Sequence, residues 1–123
     1  MSRRIGVVVI VSGIFFGGCD ETSTDVAGPT PPRILTATVT IQPSARTLAT
    51  AAFVPNPVTL SVAGVLTWAN TDSNTHDMVS DTGLWDSGRM ASGASYQFTF
   101  SSRGSFPYHC SIHPGMVGTV VVQ

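Results

Sequence analysis

Gly104-Ser105-Phe106-Pro107-Tyr108-His109-Cys110-Ser111-Ile112-His113-Pro114-Gly115-Met116 is the stretch that decides the fold. Over its first seven residues, a period of two puts Phe106, Tyr108 and Cys110 on one face and His109 on the other. The face with two aromatic rings belongs to a core. Cys110 therefore emerges from a sheet interior at the strand's end, and His109 points away from it. The next turn, Ser111 to Gly115, can curl back so that His113 and Met116 reach the same point as Cys110. Three side chains from one loop converge at little loop-closure cost.

Working outward, the flanking segments read as β. Thr36, Thr38 and Thr40 alternate with Ala37, Val39 and Ile41 within 34–42. Val58 to Val62 and Val65 to Asn70 follow, separated by Ala63-Gly64, and Asn70 to Asn74 is a polar loop. Met78-Val79-Ser80 and Trp85-Asp86-Ser87-Gly88 read as short edges around Asp81-Thr82-Gly83. Ser95 to Ser101 alternates with Tyr96, Phe98 and Phe100 on one face, and Gly118 to Gln123 closes the chain. No window carries a helical stripe. Seven or eight short strands separated by turns predict an all-β sandwich or barrel over 34–123.

With His76 upstream, the convergent loop supplies one thiolate, two imidazoles and one thioether. Two histidines and a cysteine with a weak axial methionine are the donor set of a blue-copper electron-transfer centre. Structural zinc sites prefer cysteine and histidine and seldom use methionine. The expected cofactor is one copper ion, Cu(I)/Cu(II), held by His76, Cys110, His113 and Met116. Taken singly, His76 reads as a loop residue, Met116 as core and Cys110 as a buried thiol. The Cys–His spacing also allows a nucleophile and its base, but that reading lacks an orienting Asn or Asp in a recognisable context and leaves Met116 unexplained. An enzyme is not expected, because no substrate-pocket signal or second metal accompanies the set.

The first residues predict export. Arg3 and Arg4 precede an apolar run, Ile5 to Phe16, that is too short to span a bilayer. Gly17-Gly18-Cys19 resembles a bacterial lipobox, with Phe16 where Leu is usual. Cleavage of 1–18 leaves Cys19 as a lipidated first residue; a simple signal peptide cut nearby, or an uncleaved anchor, is the alternative. Residues 19–33, with Pro29, Pro31 and Pro32, read as a flexible tether reaching about 20 Å as a coil. The expected location is the periplasmic or outer side of a bacterial membrane. Cys110 then has no disulfide partner, and metal ligation is one reason for a lone thiol in an exported chain. The mature chain has four Arg, seven acids and no Lys, a net charge of about −3, which argues against nucleic acid and against an electrostatic grip on anionic lipid.

The stretch from Phe53 to Gln123 resembles the small blue-copper proteins (cupredoxins) of the plastocyanin and amicyanin type. The resemblance rests on Phe53-Val54-Pro55, Leu66-Thr67-Trp68-Ala69-Asn70, His76, Trp85-Asp86-Ser87-Gly88, Phe98-Thr99-Phe100 and the run from Tyr108 to Gly118. It implies a Greek-key, cupredoxin-like β-sandwich with copper near one end, held by an equatorial trio of His76, Cys110 and His113 with Met116 axial. It also implies that His113 breaks the surface inside an apolar patch, for which Pro114, Gly115 and Leu84 are candidates. Electrons would pass through that edge to a docked redox partner protein, the chain itself acting as a monomer. Relatives often carry Asn or Thr where this chain has Asp77. Its side chain is expected to tie the His76 loop to the Cys110 loop and, when ionised, to lower the potential. A copper-buffering or copper-delivery module stays open as the alternative, as does a sandwich that has lost its metal.

Overall fold

Alternating burial defines the strands. The computed structural model describes residues 28–123, so the signal segment 1–18, Cys19 and most of the expected tether lie outside the described residues. Pro32–Gln123 form one compact unit. In it are strands β1 (Thr36–Ile41), β2 (Phe53–Val54), β3 (Val58–Leu60), β4 (Gly64–Asn70), β5 (Val79–Ser80), β6 (Ser95–Phe100), β7 (Gly104–His109) and β8 (Val117–Val122). They form two four-stranded sheets, ordered β2-β1-β4-β6 and β3-β8-β7-β5. The sheets pack face to face as the expected all-β sandwich.

Period-two patterning explains the packing. β4 alternates buried and half-buried positions along its whole length, placing Leu66 and Trp68 inward. Val39 and Ile41 of β1, Val58 and Leu60 of β3, and Val120 and Val122 of β8 do the same. Each such side chain contributes about 1.5–3 kcal/mol when removed from water. The centre is aromatic: Trp68 meets Tyr108 edge-on at 5.5 Å between ring centroids and Trp85 at 5.5 Å, while Phe53 lies 5.0 Å from Tyr108. Gly118 faces Tyr108 across the β7–β8 ladder, and a Cβ there would lie well inside van der Waals contact of Tyr108 Cζ.

Three local features differ from the sequence expectation. Residues 42–52 form two short 3-10 turns, Ala45–Thr47 and Ala49–Ala52. Phe53–Val54 adds a strand beside β1. The Trp85–Gly88 segment makes one bridge, Val79 to Asp86, and a bond from Ser87 N–H to the Met78 carbonyl (3.0 Å) in place of a full strand.

The two sheets share a common ligand end. β4 stops at Asn70, whose Nδ2 donates to the Met90 carbonyl at 3.0 Å, and Met90 is bridged to His76. β7 stops at His109, directly before Cys110. The chain comes into the sandwich at the opposite end, where Ile34 and Ser61 exchange hydrogen bonds.

Candidate metal centre

Cys110 begins a closed loop. Its N–H donates to the Met116 carbonyl at 3.0 Å, and Met116 N–H donates to the His113 carbonyl at 3.1 Å. Gly115 turns the chain with φ of +130°, a left-handed conformation that favours glycine. His76 is held from the other side by two backbone hydrogen bonds with Met90, of 3.1 and 2.7 Å. These constraints bring three donor atoms together. Cys110 Sγ lies 3.7 Å from His76 Nδ1 and 3.8 Å from His113 Nδ1, and the two nitrogens are 3.1 Å apart. His76 and Cys110 are fully buried, Met116 nearly so, and His113 partly exposed.

The donor set and its spacing fit a metal ion. Three atoms at those separations share a point about 2.1 Å from each, the length of a metal–imidazole or metal–thiolate bond. Lone pairs facing one another in a buried site repel unless a cation lies between them. Burial pushes the Cys110 thiol up, so the thiolate needs such a cation. Met116 lies at the loop's end with its backbone bonded to both Cys110 and His113, which makes its thioether the fourth donor candidate.

Two carboxylates support the trio. Asp72 Oδ2 lies 2.8 Å from His76 Nε2, fixing the ring with that nitrogen protonated and Nδ1 free to bind. Burial alone would push Asp72 up, but donors from His76, Ser44 N–H, Asn74 and Ser73 N–H outweigh it and hold the carboxyl well below the usual range. Asp77 Oδ1 accepts from Ser111 N–H at 2.6 Å, and Oδ2 accepts from the Ser111 hydroxyl. Its burial is likewise outweighed by these bonds, so Asp77 stays ionised and ties the two ligand loops. The tie expected of Asp77 is present. Asp72 was not singled out in the sequence, where it reads as one residue of a polar loop; an acid four positions before a ligand histidine was the available signal.

The surface around His113 differs in part from expectation. Pro114 and Gly115 are exposed beside it. Leu84 is not at this end. It lies at the tip of a hairpin whose base is the His76–Met90 bridge, in a hollow with Phe98, Phe100 and Phe106. Four residue steps carry the chain from His76 to Ser80, a reach of roughly 13 Å, before it turns towards Leu84. Leu48, Val54 and Val117 are the large apolar side chains exposed near the ligand loop. Asn56 holds two of these segments together, donating to the Val117 and Thr50 carbonyls at 3.1 and 2.9 Å. His109 points away as expected and pairs with Asp81 at 2.5 Å.

Known proteins share this arrangement. The family described as copper binding proteins, plastocyanin/azurin family, matches residues 39–123. Plastocyanin of Scenedesmus fuscus is 32% identical over 84 residues, covering 58% of this chain and 86% of that one. Amicyanin of Paracoccus denitrificans is 30% identical over 69 residues, covering 52% and 53%. A solved purple cupredoxin from Nitrosopumilus maritimus superposes with a TM-score of 0.66 at 29% identity, covering 71% of this chain and 99% of its own. A reduced mutant of amicyanin superposes with a TM-score of 0.62 at 22% identity, covering 76% and 87%, a likeness of fold. On its sandwich, its convergent donors and these matches, the chain belongs to the plastocyanin/azurin family of copper-binding proteins, the blue-copper cupredoxins.

Proposed function

We propose that the chain is a one-electron carrier whose single copper ion is held by His76, Cys110 and His113, with Met116 as a weaker fourth donor. The observation that carries this reading is the convergence of the three buried or half-buried donor atoms within 4.8 Å of one another. Bound copper supplies a one-electron Cu(I)/Cu(II) couple. The protein's part is to keep the donors still while the charge changes. Asp72 locks His76, the backbone bonds of Cys110 and Met116 lock the loop, and Asp77 locks one loop to the other. Full burial of His76 and Cys110 supports retention of the metal over release to a recipient. His113 is the ligand nearest solvent, and Pro114, Gly115 and the exposed Leu48, Val54 and Val117 offer an apolar face on which redox partner proteins would dock transiently.

The setting belongs to the same reading. Arg3-Arg4, the apolar run and Gly17-Gly18-Cys19 support export and acylation of Cys19, with the sandwich, as a monomer, tethered on the periplasmic or outer side of a bacterial membrane. Titration of the apoprotein with Cu(II) tests the carrier. An intense visible band, blue or purple, that saturates at one copper, bleaches with reductant and returns with oxidant is expected. Thiol oxidation without colour would refute it.

A further inference from the structure

Period two places Asn70 on the inward face of β4, in line with Leu66 and Trp68, and it is 1% exposed. A carboxamide buried there costs stability unless its polar atoms are paired. Nδ2 donates to the Asn74 carbonyl at 2.8 Å and to the Met90 carbonyl at 3.0 Å, and Oδ1 accepts from Asp72 N–H at 3.0 Å. Each of these partners belongs to the surroundings of His76. Asp72 sets its carboxylate on Nε2, 2.8 Å away. The Met90 carbonyl also accepts from His76 N–H, and Met90 N–H donates back to the His76 carbonyl. Asn74 lies just before the ligand in the same loop. The main chain of Asn70 is fixed in turn, its N–H donating to the Ala94 carbonyl at 2.9 Å and its carbonyl accepting from Gly93 N–H at 2.8 Å. An apolar side chain could fill the same space, but it would remove three hydrogen bonds from around His76.

We propose that Asn70 is a positioning residue for the metal centre: acting through Asp72, it holds the His76 imidazole with Nδ1 presented before any metal binds. The inference rests on the reading of His76 as a metal ligand. Asp72 fixes the ring only while its carboxylate stays behind Nε2. Ser44 N–H and Ser73 N–H steady Oδ1 of that carboxylate, while Asn70 holds the main chain beneath it. The Nδ2 bonds pin the rest of the loop, one at Asn74 and one at the Met90 carbonyl that also carries His76 N–H. The loop from β4 to His76 is therefore clamped along its length and not at its ends alone. A ring held in this way meets the metal without first losing rotamer and tautomer freedom. None of the Asn70 hydrogen bonds reaches Cys110 or His113, so its influence passes through the His76 side of the site.

The apoprotein and the copper-loaded chain together test this. Nitrogen NMR of the wild-type apoprotein, with its imidazoles neutral, should show His76 as the single tautomer protonated at Nε2. Asn70→Ala should mix the two tautomers of His76 and leave His109 unchanged. Its Cu(II) affinity should fall about 10–100-fold. Its reduction potential should rise, as in Asp72→Asn, and Asn70→Ala should add little further shift in the Asp72→Asn background, because both act on one imidazole. A less stable variant that keeps the single tautomer, the wild-type affinity and the wild-type potential overturns the proposal and leaves Asn70 a purely structural residue. Potential shifts that add in full in the double variant overturn the route through Asp72. Where Asn70→Ala does not fold, native-state hydrogen exchange of the wild-type apoprotein decides. The Asn70 amide protons and the His76 Nε2 proton should then be released in one opening with a common denaturant dependence, and independent release overturns the proposal. A wild-type chain that shows the single tautomer and the shared opening but forms no visible band with Cu(II) sinks the carrier reading and leaves the hold of Asn70 on His76 standing.

Discussion

Replacing Asp72 with asparagine isolates the charge behind His76. Asp72 Oδ2 lies 2.8 Å beyond Nε2, across the imidazole from the donor nitrogen. Its charge is therefore roughly 7 Å from a metal at Nδ1, where one unit of metal charge interacts with it by about 2.4 kcal/mol at an effective dielectric of about 20. Cu(II) and Cu(I) differ by that one unit, so the full term corresponds to about 100 mV. Solvent near the loop reduces it, and an increase of about 50–100 mV is expected in Asp72→Asn. The sign is upward, because the lost negative charge favoured the more positive oxidation state. Cu(II) affinity should fall about 10–100-fold, the usual consequence of removing the partner of a ligand histidine. Voltammetry of the copper-loaded variant and chelator competition read the two effects. A variant that keeps its visible band with an unchanged or lower potential would refute the electrostatic role of Asp72.

The tie between the ligand loops gives a second expectation: Asp77→Asn should also raise the potential, and a decrease in voltammetry would contradict the charge argument. Acid should weaken the apoprotein through the same two carboxylates. Both are held below their unfolded value, so the stability they confer is complete above about pH 4 and fades as pH falls towards their folded values. Denaturant midpoints of wild type and the Asp72→Asn, Asp77→Asn double variant should converge below about pH 4; a constant gap down to pH 3 would refute it. Gly118→Ala should cost about 1–3 kcal/mol of unfolding free energy, since the added methyl meets the Tyr108 ring. Wild-type stability would show that Tyr108 does not pack there. His109→Ala should leave the visible spectrum unchanged, because its ring faces Asp81; a shifted band would place it on the metal.

Much of this architecture is legible in the chain, and the remainder has physical reasons for being hidden. The inward face of Phe106, Tyr108 and Cys110 follows from the period of a strand, and the convergence of Cys110, His113 and Met116 from a seven-residue loop. Both are local. The parallel pairings of β1 with β4 and β3 with β8 join segments that no local pattern relates. Asp72 was hidden because a buried carboxylate in Asn70–Asn74 has the composition of an ordinary turn; only the fold sets it behind His76. Leu84 was misplaced because its distance from the ligands depends on how far the hairpin runs from the His76–Met90 bridge before it turns. Leu48 and Val54 went unrecognised as neighbours of the ligand loop because the Asn56 bonds that bring their segment there span some sixty residues.

X-ray absorption at the copper edge, in both oxidation states of the loaded protein, tests the preformed trio most directly. Two nitrogen scatterers near about 2.0 Å and one short sulfur near about 2.2 Å, almost unchanged on reduction, are expected of donors locked by Asp72, Asp77 and the Cys110–Met116 loop. Loss of a nitrogen or of the short sulfur on reduction, or a shell of oxygen donors in either state, would contradict a rigid one-electron carrier.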